Sequence, residues 1–157
     1  MGHWKIKGEP TAILVDFTSL IPRKDEILKK LWEAYHVDSI SGQWDYIEPV
    51  LFGYAAGAVI ASYVENFCTA TDKIAAHFHE WMTAAGGLYL RRHAPYVATL
   101  FTTHATVMGR CIAGNHLPLY TDLTKFNADE LARQFNVVAK HSIEKAAAAY
   151  HDAFVTV

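Results

Sequence analysis

The stretch "HFHEWMTAAGGLYLRRH", residues 77–93, decides how the chain is read. It places three histidines, a glutamate and two arginines around a Gly-Gly pair. Taken as a break, Gly86-Gly87 ends one helix and opens a hairpin to the next, because glycine is the usual left-handed residue after a helix. The flanking apolar residues support that reading. Phe52, Ala56, Ile60, Tyr63, Phe67, Ala70, Ile74, Phe78 and Trp81 recur at three- and four-residue steps, the spacing of one helical face. On the far side, Val97, Phe101, His104, Met108 and Cys111 share a face, and Leu131, Phe135, Val138, Ser142, Ala149 and Ala153 another.

Working outward, Pro22, Pro49 and Pro95 sit where these patterns begin, as proline tolerates a first helical turn. Gly42 and Gly114 sit where patterns end, and Asn127 with Glu130 makes an N-cap pair. The spacing predicts helices over 22–38, 47–85, 92–113 and 127–154. Residues 1–20 read as an extended N-terminal arm or hairpin, with "GEP" as its turn. The expected fold is all-α: one domain over 1–157, an antiparallel bundle of about four helices.

Composition sets the partners. Of the 157 residues, 52% are hydrophobic, 13% aromatic and only 19% charged, against a usual charged share of roughly 25%. So little charge leaves apolar surface for another chain or a membrane. The net charge of −2, with no basic stripe, excludes a nucleic-acid footprint. Residues 47–64, with Gly53 and Gly57 as a small-residue pair, and 94–113 are the two candidate membrane segments. Packing of Gly53 and Gly57 in a close helix crossing, within the chain or between subunits, is the reading set against it. Two cysteines and a start without signal- or transit-peptide character suggest a reducing compartment, cytoplasmic or membrane-associated.

Two groups of side chains carry chemistry. Folding the helices back at Gly86-Gly87 brings His77, His79, Glu80, His93 and His141, with Glu144 nearby, to one end of the bundle. Imidazole and carboxylate in that mixture suit a transition metal. The order of residues is not that of a two-histidine helical site, and the wheel turns His79, Glu80 and His141 outward, which favours a solvated hairpin end. His104 falls on an apolar face between Phe101 and Met108. There it is either a core histidine bonded to Tyr63 or Thr103, or a haem or metal ligand. The expected function is a non-enzymatic helical subunit acting through association, with itself or with other protein subunits. A histidine-bearing bundle that binds metal or haem, with or without catalysis, is the alternative.

Overall fold

A computed structural model describes residues 1–157 and shows an α/β fold, not a helical bundle. The N-terminal arm is a short antiparallel hairpin of β1 (Gly2–His3) and β2 (Thr11–Ala12). A 3-10 turn over Thr18–Arg23 leads to α1 (Lys24–Tyr35), which ends at His36 in the left-handed conformation. Then come α2 (Trp44–Phe67), β3 (Ala75–His79), α3 (Glu80–His93), β4 (Ala98–Thr103) and α4 (Val107–Gly114). The chain finishes with α5 (Leu119–Asp122), a 3-10 turn over Leu123–Lys125, α6 (Ala128–Gln134), α7 (Val138–Tyr150) and β5 (Ala153–Thr156). Strands β3, β4 and β5 form one parallel sheet in that order. The register pairs Phe78 with Phe101 and Phe101 with Phe154.

The predicted helix over 47–85 is therefore wrong in its second half. Helix α2 stops at Phe67, where Cys68 turns extended. The Asp72 carboxylate then accepts hydrogen bonds from the Thr69 N–H and hydroxyl, closing a turn. Beyond it, "AAHFH" alternates exposed and buried, the period of a strand. A short apolar run fits strand and buried helix equally well, which is how the helical stripe absorbed Ile74 and Phe78. The predicted helix over 92–113 divides too. Pro95 follows the end of α3, and "ATLFTT", rich in β-branched and aromatic residues, forms the central strand β4. In the last predicted helix, Asn127 caps α6 by accepting from the Asp129 and Glu130 N–H groups, but Asn136 at φ 55° breaks the run before α7.

Gly86 and Gly87 do not end a helix. They lie buried in the middle of α3, where their missing side chains let other elements in. Gly53 and Gly57 of α2 face the same stretch. A Cβ on Gly57 would stand 2.5 Å from the Gly86 carbonyl oxygen, and one on Gly53 would stand 3.1 Å from the Thr83 carbonyl. The small-residue pair is thus an intramolecular helix crossing. Helix α2 is the one helix long and apolar enough to cross a membrane, and 33% of its most apolar window is buried inside the chain. The second candidate segment, 94–113, is a strand followed by a short helix and offers no spanning helix.

One face of the sheet carries Phe78, Thr99, Phe101 and Thr103, all buried; it packs on α3, and Thr103 reaches Glu144 of α7. The buried hydrophobic core continues through Ala84, Ala85 and Leu88 of α3 to Ile143 and Ala147 of α7. His151, just after α7, sits in this seam between Phe78 and Phe101. Its Nδ1 donates to the Ala147 carbonyl at 2.9 Å, while Nε2, buried against Gly87, has no partner. Burial holds this imidazole below its ordinary pKa, since a charged ring would carry an N–H with no acceptor.

The unfolded chain binds a proton near the ordinary value of 6.5, whereas the folded chain binds it only at lower pH. Stability is therefore full above about pH 6.5 and falls as the pH drops below it, until the lowered folded value is reached. Urea unfolding of His151→Gln between pH 7.5 and pH 5 is expected to show a smaller pH-dependent loss than wild type. Identical slopes would remove His151 from the account.

Candidate functional site

In an open parallel sheet, ligands bind beyond the carboxyl ends of the strands, where side chains from successive loops converge. Here β3 and β4 run side by side, and their carboxyl ends carry His77, His79 and Glu80 on one, and Thr102, Thr103 and His104 on the other. Strand alternation turns His77 and His79 to the same, exposed face, with their rings 4.0 Å apart. His77 Nε2 meets the Thr102 hydroxyl at 2.7 Å. His79 Nδ1 meets His104 Nε2 at 3.2 Å, with the rings stacked. One nitrogen of that pair must donate and the other accept, so at least one ring is neutral. Desolvation, then the neighbouring imidazoles of His77 and His104, hold His79 below its ordinary pKa against the opposing pull of Glu80.

Glu80 joins the two loops. Its carboxylate accepts the His104 backbone N–H at 2.8 Å. Its own backbone lies at φ 64°, a left-handed conformation that costs a non-glycine residue of order 1 kcal/mol or more and clusters at functional turns. The sharp strand-to-helix corner keeps the carboxylate beside the next loop. From the other side, the Thr106 hydroxyl caps α4 by accepting the Gly109 N–H at 2.9 Å.

Of the residues singled out from sequence, the structure brings His77, His79, Glu80 and His104 together. It does not bring His93 or His141 to them. His93 stacks on Tyr89 at 4.2 Å at the far end of α3. His141 Nε2 lies 3.0 Å from the Asp129 carboxylate, which also pairs with Lys145, on a separate groove between α6 and α7. The five-residue metal set thus falls into three places, and no group of three or more His, Cys, Asp or Glu side chains is arranged to hold a metal ion. His104 is not a buried mid-helix residue: it is exposed in the turn after β4, and its partners are His79 and Glu80 rather than Tyr63 or Thr103. Both cysteines are free, and burial pushes the Cys111 thiol up.

Sequence reasoning missed Thr102 and the linking role of Glu80. The signal was available in "AHFHE" and "LFTTHAT", two apolar runs that each end in a histidine-bearing polar cluster. Read as neighbouring parallel strands, they place those clusters at one edge.

The whole chain, residues 1–157, matches the model of a family described as Glycogen synthase. Among curated proteins it is similar to the glycogen (starch) synthase of Dictyostelium discoideum, at 32% identity over 156 residues. It is 31% identical over 157 residues to that of Neurospora crassa, and 32% identical over 158 residues to isoform 2 of Saccharomyces cerevisiae. Each alignment takes in 99% of this chain but only 17% of the first relative and 22% of the other two, so the chain spans about a fifth of their length. These matches overturn the expected non-enzymatic helical subunit, and with it the helical bundle built to hold metal or haem. The low charge and the small-residue helix had suggested association. The structure places Gly53 and Gly57 of that helix inside the chain, in the crossing of α2 and α3.

Proposed function

We propose, from the premise that the chain belongs to the glycogen synthase family, that the carboxyl end of its parallel sheet holds a glucosyl group during glucan synthesis. The observation that carries the reading is the bonded cluster of His77, His79, Glu80, Thr102 and His104 at the ends of two adjacent parallel strands. Glucan synthesis transfers a glucosyl unit from an activated donor to a hydroxyl of the growing chain. A sugar offers hydroxyls that both donate and accept. A pair of imidazole nitrogens of which one donates and the other accepts, as between His79 and His104, and a threonine hydroxyl match that pattern. The depressed pKa of His79 keeps it in the neutral form near pH 7. In this reading the chain supplies one wall of a larger site, in keeping with the fifth of the relatives' length that it spans.

The test is titration of the protein with a linear glucan oligosaccharide and with glucose 1-phosphate, followed by nuclear magnetic resonance. The amides of His79, Glu80 and His104 are expected to shift with at least one probe. His79→Ala and His104→Ala are each expected to weaken that binding about three- to tenfold, the worth of roughly one net hydrogen bond. His141→Ala, on the other groove, is expected to leave it unchanged. Shifts confined to the Asp129 groove, or binding indifferent to both histidines, would sink the reading.

A further inference from the structure

We infer that Glu144 is a positioning residue for this site: from α7, its carboxylate ties down the β4–α4 turn that carries His104. The inference rests on the reading of the sheet's carboxyl end as the substrate site. Glu144 is only 6% exposed. One carboxylate oxygen accepts the Val107 N–H at 2.9 Å, and the other accepts the Thr103 hydroxyl at 3.4 Å. These donors bracket His104, one residue before it and three after. The His104 N–H itself goes to Glu80. The turn is therefore clamped by two carboxylates, one from the β3–α3 corner and one from a helix nearly forty residues further along the chain.

The chemistry argues against a packing role alone. On α7 the neighbouring positions Ile143, Ala146 and Ala147 are buried and apolar, and an apolar side chain at 144 would avoid desolvating a carboxyl group. Burial does push its carboxyl above the ordinary range, against the pull of Val107, Thr103 and the more distant Arg110, with Glu80 adding to the rise. What the carboxylate supplies is an acceptor for the Val107 N–H, one of the first-turn amides of α4 that no helical carbonyl reaches. An anionic acceptor there also suits the positive end of the helix. It fixes where α4 begins and, with it, the path of residues 103–107.

The experiment compares Glu144→Ala, Glu144→Gln and wild type by nuclear magnetic resonance. Glu144→Ala removes both acceptors. Glu144→Gln keeps an oxygen for Val107 and can donate to Thr103. The expected result is a clear displacement of the His104 and Val107 amides and of the His79 and His104 ring signals in Glu144→Ala. Glu144→Gln should return them close to wild type, and the exposed His3 and His116 should not move in either variant. A folded Glu144→Ala protein whose His79 and His104 signals coincide with wild type would overturn the inference. Should that variant not fold, Glu144→Asp, one methylene short, carries the same test with the same two outcomes. Adding the glucan oligosaccharide and glucose 1-phosphate to wild type separates this from the site reading. Displaced histidine signals in the variants, with no wild-type binding at those histidines, leave the clamp standing and remove the substrate.

Discussion

Gly57→Leu is expected to destabilise the protein by about 3 kcal/mol, the upper part of the range for overpacking a rigid contact. The reason is what the new side chain would meet. Its Cβ would stand 2.5 Å from the Gly86 carbonyl oxygen, 2.9 Å from Gly86 Cα and 3.0 Å from Tyr89 Cβ. The first two are backbone atoms in the middle of α3, and no rotamer change relieves them. Gly86 cannot retreat either, because a Cβ there would already be 2.5 Å from the Phe78 ring and 2.7 Å from the Gly53 carbonyl. The layers α2, α3 and β3 are stacked through glycine at consecutive contacts. Urea unfolding followed by circular dichroism reads the loss. A change below about 0.5 kcal/mol, the scale of an ordinary surface substitution, would mean that α2 and α3 do not cross at these glycines. A leucine at an exposed α2 position, Ser62→Leu, is expected to fall within that small range.

Phe101→Ala should be costlier, at about 3–5 kcal/mol for deletion of a fully buried aromatic ring. Phe101 is 0% exposed in the central strand. It stacks on Phe154 of β5 at 5.9 Å and meets His151 at 5.4 Å, and its register partner on β3 is Phe78. Removing the ring opens a cavity where all three strands and the α3–α7 seam meet. It also leaves the His151 ring without one of its two aromatic walls. Phe67→Ala, 69% exposed at the end of α2, is the matched control and should cost little. Equal losses for the two substitutions would contradict the placement of the sheet's core at β4. If His151 loosens as argued, Phe101→Ala should also soften the loss of stability below pH 6.5, because the imidazole then gains access to water.

Much of the chain's punctuation was legible without a structure. The hairpin around "GEP", the start of a helix after Pro22, the cap at Asn127 and the close approach at Gly53 and Gly57 are all local. Each follows from the backbone preference of one or two residues. The polar cluster of His77, His79 and Glu80 was legible as a cluster because the three residues lie within four positions of one another, though which of them share a face depends on whether the segment is helix or strand. His104 was singled out for a reason that did not hold: it was placed on a buried helical face, and it is an exposed turn residue. Its link to His79 depends on strand pairing twenty-five residues apart in sequence.

What sequence periodicity by itself determined, then, was where apolar segments begin and end, and which positions demand a small side chain. Whether "AAHFH" and "ATLFTT" are strands was decided by tertiary structure. Strands this short offer too few residues for their alternation to outweigh a stripe at three- and four-residue steps, so Ile74, Phe78 and Phe101 read equally as turns of a helix. Only lateral pairing with another strand, and a helix laid over the pair, distinguishes the two. The role of Gly86-Gly87 was decided the same way. In isolation a glycine pair weakens a helix and marks its end. Inside α3 it is retained because the contacts with Gly57, Phe78 and His151 have no room for a Cβ, and burying those neighbours offsets the lost helix propensity.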